Sequence, residues 1–468
     1  MKQIGFIRTK TSREIQKSKI GIGLECLDRQ MWDDSDEHYR LIGELGVKHA
    51  RIQSGWSRCE VEKGKYDFAW LDRTVDKLQS AGIQPWMSLS YGNMHYTDAK
   101  EPDAVGWVPL FSESAKTGWK NYVAALVQHF SNRITHYEIW NEPDASGFWR
   151  PGKPNPEEYM ELVRLTVPVV KENQPDAKII AGALSQGLRN DGMVTLECLL
   201  KMGFAKLIDI YTYHRYRVLP EQDRPERFNA LRLAFDAFDG KHVKFWQGEG
   251  GFPSKNSKTQ ALSNVPMTED IQAKLLSKAI VNELALGVDY TCYFHFSDFK
   301  FYYRDGFCDV PNFFGLTTFD IPPRVKPAYH VLQRICSVFD GDVNVAPRSL
   351  IEIYPNAERD EIDRFMFHEI QMNIKTVCFE RNGKALCAWW TPLSLVDESS
   401  APYPHLANIH VLTPGLDLED PVIVDLVTGE VFEPEKIKKM TYVIVYNVPV
   451  RDYPLIVVDR SAIDMTLI

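Results

Sequence analysis

The chain lacks metal-binding spacings. Its eight cysteines, Cys26, Cys59, Cys198, Cys292, Cys308, Cys336, Cys378 and Cys387, form no Cys-x-x-Cys pair, so they read as reduced, mostly buried small hydrophobes rather than zinc ligands. No His-x-His stands near the first apolar run, as a metal-dependent barrel hydrolase would need, so no metal and no cofactor are expected. It has no apolar run approaching the roughly 18 residues of a membrane span. Met1 to Gly21 is charged throughout, without the apolar stretch of about 7–15 residues that marks a secretory signal. Basic blocks are absent too: 54 Lys+Arg against 63 Asp+Glu give a formal charge of −9, which repels phosphate backbones and anionic lipid. These absences predict a soluble, cytoplasmic protein with neither nucleic acid nor membrane as partner. There is no internal repeat and no low-complexity segment.

What is present is an ordinary globular composition, 44% hydrophobic and 25% charged over 468 residues, enough for a large core. Aromatics reach 12%, with 11 Trp and 20 Tyr; they suit both a large core and the stacking of sugar rings. From Lys19 to Ser337 short apolar runs alternate with amphipathic stretches, a rhythm that calls for a parallel sheet covered by helices. The runs are Ile20–Cys26, Lys48–Gln53, Gln84–Ser90, Ile134–Asn141, Lys178–Leu184, Leu207–Tyr213, Val243–Gly248 and Asp289–Phe296. Eight is the number that closes a (β/α)₈ TIM barrel. Asp67 before Phe68–Val75 and Asn155 before Pro156 mark helix starts, and Gly82 a helix end. The connection from Ser297 to Lys326, rich in aromatics, is expected to wall the end of the last strand.

After Phe339 the pattern changes to short strands and turns: Leu350–Tyr354, Arg364–Ile370, Thr376–Glu380, Ala385–Thr391, Asn408–Leu412, Val422–Leu426, Tyr442–Tyr446 and Leu455–Val458, with turns at Asn382-Gly383 and Thr428-Gly429. This predicts a C-terminal antiparallel β-sandwich over 339–468, behind a catalytic barrel over 1–338 whose first 18 residues are a lead-in. Trp389 and Trp390, being adjacent in a strand, must face opposite ways; one could stack on a sugar or both could be packed.

Two segments carry chemistry. In His136-Tyr137-Glu138-Ile139-Trp140-Asn141-Glu142-Pro143 an apolar strand runs into a carboxylate at the C-terminal rim of strand four, where barrel enzymes hold their catalytic groups. Alternation puts Glu138, Trp140 and Glu142 on one face, with Glu138 in the layer beneath. In Val243-Lys244-Phe245-Trp246-Gln247-Gly248-Glu249-Gly250-Gly251 strand seven also ends in a glutamate, and its small neighbours are expected to leave room for a ligand. No Gly-Lys-Ser/Thr follows, so this is not a phosphate cradle. Two carboxylates on one rim are what glycosidic cleavage requires, about 5–5.5 Å apart in a retaining enzyme and roughly 6.5–9.5 Å in an inverting one.

Trp140-Asn141-Glu142-Pro143 with the later strand-end Glu249 resembles the clan A glycoside hydrolases. The resemblance implies a retaining mechanism with Glu142 as acid/base and Glu249 as nucleophile. It also implies that Asn141 bonds the sugar 2-hydroxyl and that Arg51 sits near the nucleophile. Within the clan, Gly46-Val47-Lys48-His49-Ala50-Arg51 through Trp56, Glu60, Gly64-Lys65-Tyr66-Asp67-Phe68 and Trp70-Leu71-Asp72 is similar to the β-xylosidase/α-L-iduronidase family and to β-galactosidases on such barrels. His214-Arg215-Tyr216 matches that family's His-x-Tyr, which implies that Tyr216 orients the nucleophile. The ending from Val448-Pro449 to Val458 looks like its accessory sandwich. The surroundings of Glu249 depart from the xylosidase pattern, and Phe294, His295 and Phe296 stand where a tryptophan often ends strand eight.

The remaining candidates for substrate contact are His214, Glu25 at the end of strand one, Trp56, Tyr91, Trp149 and Phe296, with Trp107 and Phe252 as further aromatics near strand ends. Each has a plainer reading: Glu142 a surface acid, Glu249 a loop decoration, Glu25 a structural acid, Arg51 a salt-bridge partner, His214 a core histidine, and the aromatics loop packing. The expected substrate is a β-glycoside or α-L-arabinoside. The alternative is a catalytically inactive carbohydrate-binding barrel. The sequence leaves the sugar, the mode of cutting and assembly into a homo-oligomer open.

Overall fold

The computed structural model describes residues 1–468 except 188, 257–260, 303–309, 356–372 and 397–405. Eight parallel strands close into a barrel: β1 Ile20–Gly23, β2 His49–Gln53, β3 Gln84–Leu89, β4 His136–Ile139, β5 Lys178–Leu184, β6 Ile210–His214, β7 Lys244–Gly250 and β8 Tyr290–Tyr293. All eight lie within the predicted runs or extend one by a residue or two. Several stop short at the C-terminal end because the chain there turns into rim loops.

Helices cover the barrel, and their starts follow local chemistry. Asn155 accepts from the backbone N–H groups of Glu157 and Glu158 ahead of Pro156–Asn173, while Asp67 accepts from Ala69 N at 2.9 Å at the head of Ala69–Ser80. Gly82, at φ +79°, follows that helix in the left-handed conformation of a C′ residue. The barrel floor is a plug of Trp86, Ile180, Ile210, Trp246, Tyr290 and Cys292, so the lumen is packed and chemistry is confined to the opposite rim. No helix among the described residues is long and apolar enough to cross a membrane.

Beyond helix Pro327–Val338 the chain forms two antiparallel sheets. One has four strands in the order Leu350–Pro355, Leu406–Leu412, Val443–Pro449 and Ile437–Lys439. The other has eight, and contains the Asn382-Gly383 hairpin, whose two turn residues have φ of +52° and +77° as a type I′ turn requires. The predicted strand Arg364–Ile370 lies outside the described residues. Strand Lys384–Trp390 shows why sequence periodicity was weak here. Leu386, Ala388 and Trp390 join the barrel core, whereas Ala385, Cys387 and Trp389 fill the sandwich, so both faces are apolar. Neither tryptophan is exposed: Trp390 Nε1 donates to Glu221 on the barrel at 2.5 Å and Trp389 Nε1 to the Pro449 carbonyl at 3.0 Å.

The lead-in differs from expectation. Lys2–Ile7 is a strand of the eight-stranded sheet, between Glu430–Glu433 and Met465–Leu467. It enters the accessory layer before the barrel begins, because its pairing partners supply the backbone groups that a six-residue strand cannot satisfy alone.

Candidate active site

Glu249 belongs to β7, and its side chain turns inward at the rim. Glu142 stands three residues beyond β4, placed by an irregular backbone: Trp140 and Glu142 have φ of +69° and +45°, and Glu142 N donates to Ala183 O at 3.1 Å. The left-handed residue at 140 ends the strand alternation. Glu138 does point into the layer beneath, but Trp140 does not share its face; it packs among Tyr91, Trp119 and Trp149.

Across the rim, carboxylate oxygens of Glu142 and Glu249 and a ring nitrogen of His214 all lie within 4.8 Å of one another. His214 Nδ1 is 3.0 Å from Glu142 Oε1 and 3.6 Å from Glu249 Oε2. Glu249 Oε1 accepts from the Tyr216 hydroxyl at 2.6 Å, and Oε2 from Arg51 Nη1 at 2.6 Å. Burial opposes ionisation of both acids, but the balance differs. For Glu142 burial, helped by the charge on Glu249, outweighs His214 and raises its pKa. For Glu249 burial is outweighed by His214, Arg51 and Tyr216, and the carboxyl is held below its ordinary value. Burial lowers the His214 pKa, yet the two glutamates more than compensate and it ends raised.

Beneath them Arg51, wholly buried, serves as a hub. It bonds Glu138 Oε2 through Nε (3.0 Å) and Nη2 (2.6 Å), Asn141 Oδ1 through Nη2 (2.8 Å), and Glu25 Oε1 through Nη1 (3.1 Å). Thr212 Oγ1 donates to the other oxygen of Glu138 at 2.8 Å. One guanidinium thus faces Glu25, Glu138 and Glu249. Glu25, with one oxygen unpartnered, is pushed by burial up to about 7, despite Arg51 and helped by the Glu249 charge.

Above the acids opens a cavity of about 1030 Å³ whose lining includes Glu142, His214, Tyr216, Glu249, Phe294 and Tyr302. Several expected contacts are not in it. Glu25 is 1% exposed and lies under the floor, so of its two readings the structure gives the structural one. Trp56 stacks between Tyr96 and Tyr122, and Trp149 donates to Glu158 at 2.7 Å behind the loop. Tyr91 lies against Phe148 and bonds Gln53; Phe296 packs on Trp32 and His38. Each follows a strand, but each is buried against neighbouring side chains, where its apolar area is covered. Asn141, 3% exposed, and Arg51, fully buried, sit at the floor of the cavity.

The glycines around Glu249 also differ from expectation. A Cβ on Gly250 would meet Arg215 O at 2.3 Å and one on Gly251 would meet Phe294 O at 1.8 Å. The space is taken by backbone of the neighbouring rim segments, not by a ligand. Of the three strand-eight residues Phe294, His295 and Phe296, between which the sequence did not choose, Phe294 lines the cavity, while Tyr302 was not singled out as lining. The Tyr302-Tyr303 pair in the long connection was a visible signal, although Tyr303 lies outside the described residues.

A model of glycosyl hydrolases family 39 matches residues 21–190. A β-xylosidase of Geobacillus stearothermophilus is 24% identical over 356 residues, covering 67% of this chain and 66% of that protein. A β-galactosidase of Bifidobacterium bifidum is 46% identical over 55 residues, 12% of this chain and 8% of that one. The chain therefore spans less than two thirds of each of these relatives. Among solved structures, a family 39 glycoside hydrolase of Bacteroides cellulosilyticus WH2 shares the fold with a TM-score of 0.65 at 19% identity, over 94% of this chain and 81% of that one. A family 30 subfamily 8 xylanase of Clostridium acetobutylicum does so at 0.57 and 12%, over 97% of each. The family model over residues 21–190, the β-xylosidase likeness and the shared two-part fold together make this chain similar to clan A glycoside hydrolases of the family 39 type.

Proposed function

We propose that the chain is a retaining glycosidase that cleaves β-glycosidic or α-L-arabinosidic bonds by double displacement, with Glu249 as nucleophile and Glu142 as acid/base. The observation that carries this reading is a pair of carboxylates within 4.8 Å across one cavity, one with its pKa raised by burial and the other with its pKa lowered by His214, Arg51 and Tyr216. That separation belongs with the short spacing of retaining enzymes, which leaves no room for a water between acid and sugar.

Glu249, aligned by Tyr216 and Arg51, attacks the anomeric carbon while Glu142 gives its proton to the departing oxygen. The resulting glycosyl ester neutralises Glu249, which relieves the repulsion that raised the Glu142 pKa, so Glu142 then works as a base on the incoming water. His214, touching both acids, accommodates that proton traffic. Asn141, its Oδ1 held by Arg51, has its amide nitrogen left to donate to the 2-hydroxyl. A binding barrel without turnover has no use for two neighbouring acids whose pKa values are pushed in opposite directions, and nothing in the site favours it.

The supporting relatives include enzymes named for β-xylose and β-galactose cleavage. The test is a panel of aryl β-glycosides of xylose, galactose, glucose and mannose plus an α-L-arabinoside, followed by azide rescue of Glu249→Ala. Rescue giving a glycosyl azide of inverted anomeric configuration is the expected result; turnover with overall inversion, or unimpaired activity in Glu249→Ala, would overturn it.

A further inference from the structure

The rim charge of the cavity runs against that of the chain. Seven basic side chains against six acidic ones line it among the described residues, in a protein of formal charge −9. The excess is concentrated on the loops after β5 and β6. Arg189 is exposed; its Nη1 donates only to the side-chain carbonyl of Gln186 at 3.2 Å, and it has no acidic partner among the described residues. Arg217 lies 3.2 Å from Asp223, a carboxylate it shares with Arg215, which also pairs with Glu283. Burial, with the charges of Arg215, Arg189 and Arg227 acting against Asp223, holds the Arg217 guanidinium below its ordinary value, and Arg189 adds a guanidinium beside it that meets no carboxylate among the described residues.

The position of this edge relative to Glu142 assigns its use. A general acid must reach the glycosidic oxygen, so the leaving group lies against the wall that carries Glu142. That wall continues through Asp144, which accepts from Ser185 N at 2.8 Å and Gln186 N at 3.1 Å, and through Gln186 to Arg189. Resting on the glycosidase reading above, we propose that Arg189 and Arg217 form an anion-binding edge of the leaving-group subsite that favours glycosides whose leaving group carries a carboxylate. Guanidinium groups suit a carboxylate because their parallel N–H donors match its two oxygens.

The test compares 4-carboxyphenyl and 4-carbamoylphenyl glycosides of whichever sugar the enzyme accepts. The quantity read is the ratio of their kcat/KM values in the parent, in Arg189→Gln and in the double variant with Arg217→Gln. This ratio does not depend on the fraction of enzyme that is folded, so a poorly folding variant still reports. A preference of about tenfold for the charged leaving group is expected in the parent, the scale of one charge-assisted hydrogen bond, falling towards unity in the double variant and part-way in Arg189→Gln. A parent ratio at or below one, a ratio unmoved by the substitutions, or a preference for charge on the glycone would overturn the proposal. If no glycoside were turned over, the glycosidase reading would fail by itself. Calorimetric titration of the Glu249→Ala protein with the same two compounds would then read the anion preference directly, with equal affinities counting against it.

Discussion

Arg51 carries one positive charge beneath three carboxylates, and protons must make up the difference. Glu25 takes one, since its carboxyl is pushed to about 7 in the folded chain against 4.5 for a free glutamate. A carboxyl whose folded pKa is raised stabilises the fold fully below the unfolded value, and that contribution is lost as pH rises through the folded one. Glu25→Gln is therefore expected to gain stability relative to the parent between about pH 4.5 and 7, read as the difference in urea midpoint across that window. At the rim the signs are opposed. Activity falls at low pH when Glu249 protonates, below the ordinary carboxyl range, and at high pH when Glu142 ionises, above it. The kcat/KM profile is thus broader than two unperturbed carboxyls would give. Glu142→Gln is expected to lose about 10²–10⁴ in rate, with less loss and a missing alkaline limb on aryl glycosides whose leaving group needs no proton. These residues were legible because a strand end fixes both height and inward direction. Trp56, Tyr91, Trp149 and Phe296 were not, since a residue two or more positions past a strand is free to turn either way, and only its surroundings decide.

At the level of single elements, β7 is bound to its surroundings through what its glycines lack. Gly251→Ala would drive a methyl into the Phe294 carbonyl, 1.8 Å from the Cβ position, and backbone cannot yield as a side-chain tip does. The expected outcome is a rim displaced at Glu249, seen as a loss of kcat together with a lower melting temperature. Gly64→Ala, where nothing lies within 4 Å, should change far less and then only through its φ of +78°. The barrel strands were visible as apolar runs because both their faces are covered. The short strands Lys2–Ile7, Val343–Val345 and Met465–Leu467 escaped notice for the opposite reason: each has three to six residues and owes its conformation to a partner distant in sequence.

For the molecule as a whole, barrel and sandwich share one continuous core. Trp390 is fully buried in it, and Lys278, itself buried, donates to Leu393 O at 2.7 Å while lying 3.3 Å from Glu221. Trp390→Ala is expected to cost about 3–5 kcal/mol, measurable by urea denaturation, and to leave the site geometry intact because the tryptophan approaches the barrel from outside. Counting eight runs was enough to anticipate the barrel, and the turn-rich remainder the sandwich. How the two join was not legible, since strand Lys384–Trp390 reads as uniformly apolar and does not say which face meets which partner.

The pairing of Gly5 with both Val431 and Leu467 sets an order of events during synthesis. A segment made before any of the barrel lacks these partners until Glu430–Glu433 and Met465–Leu467 have been made, so its place in the eight-stranded sheet is filled only after the whole barrel has been translated. Until then two sheet edges stand open beside barrel strands that have all been made, and those edges are where the nascent chain is exposed to mispairing.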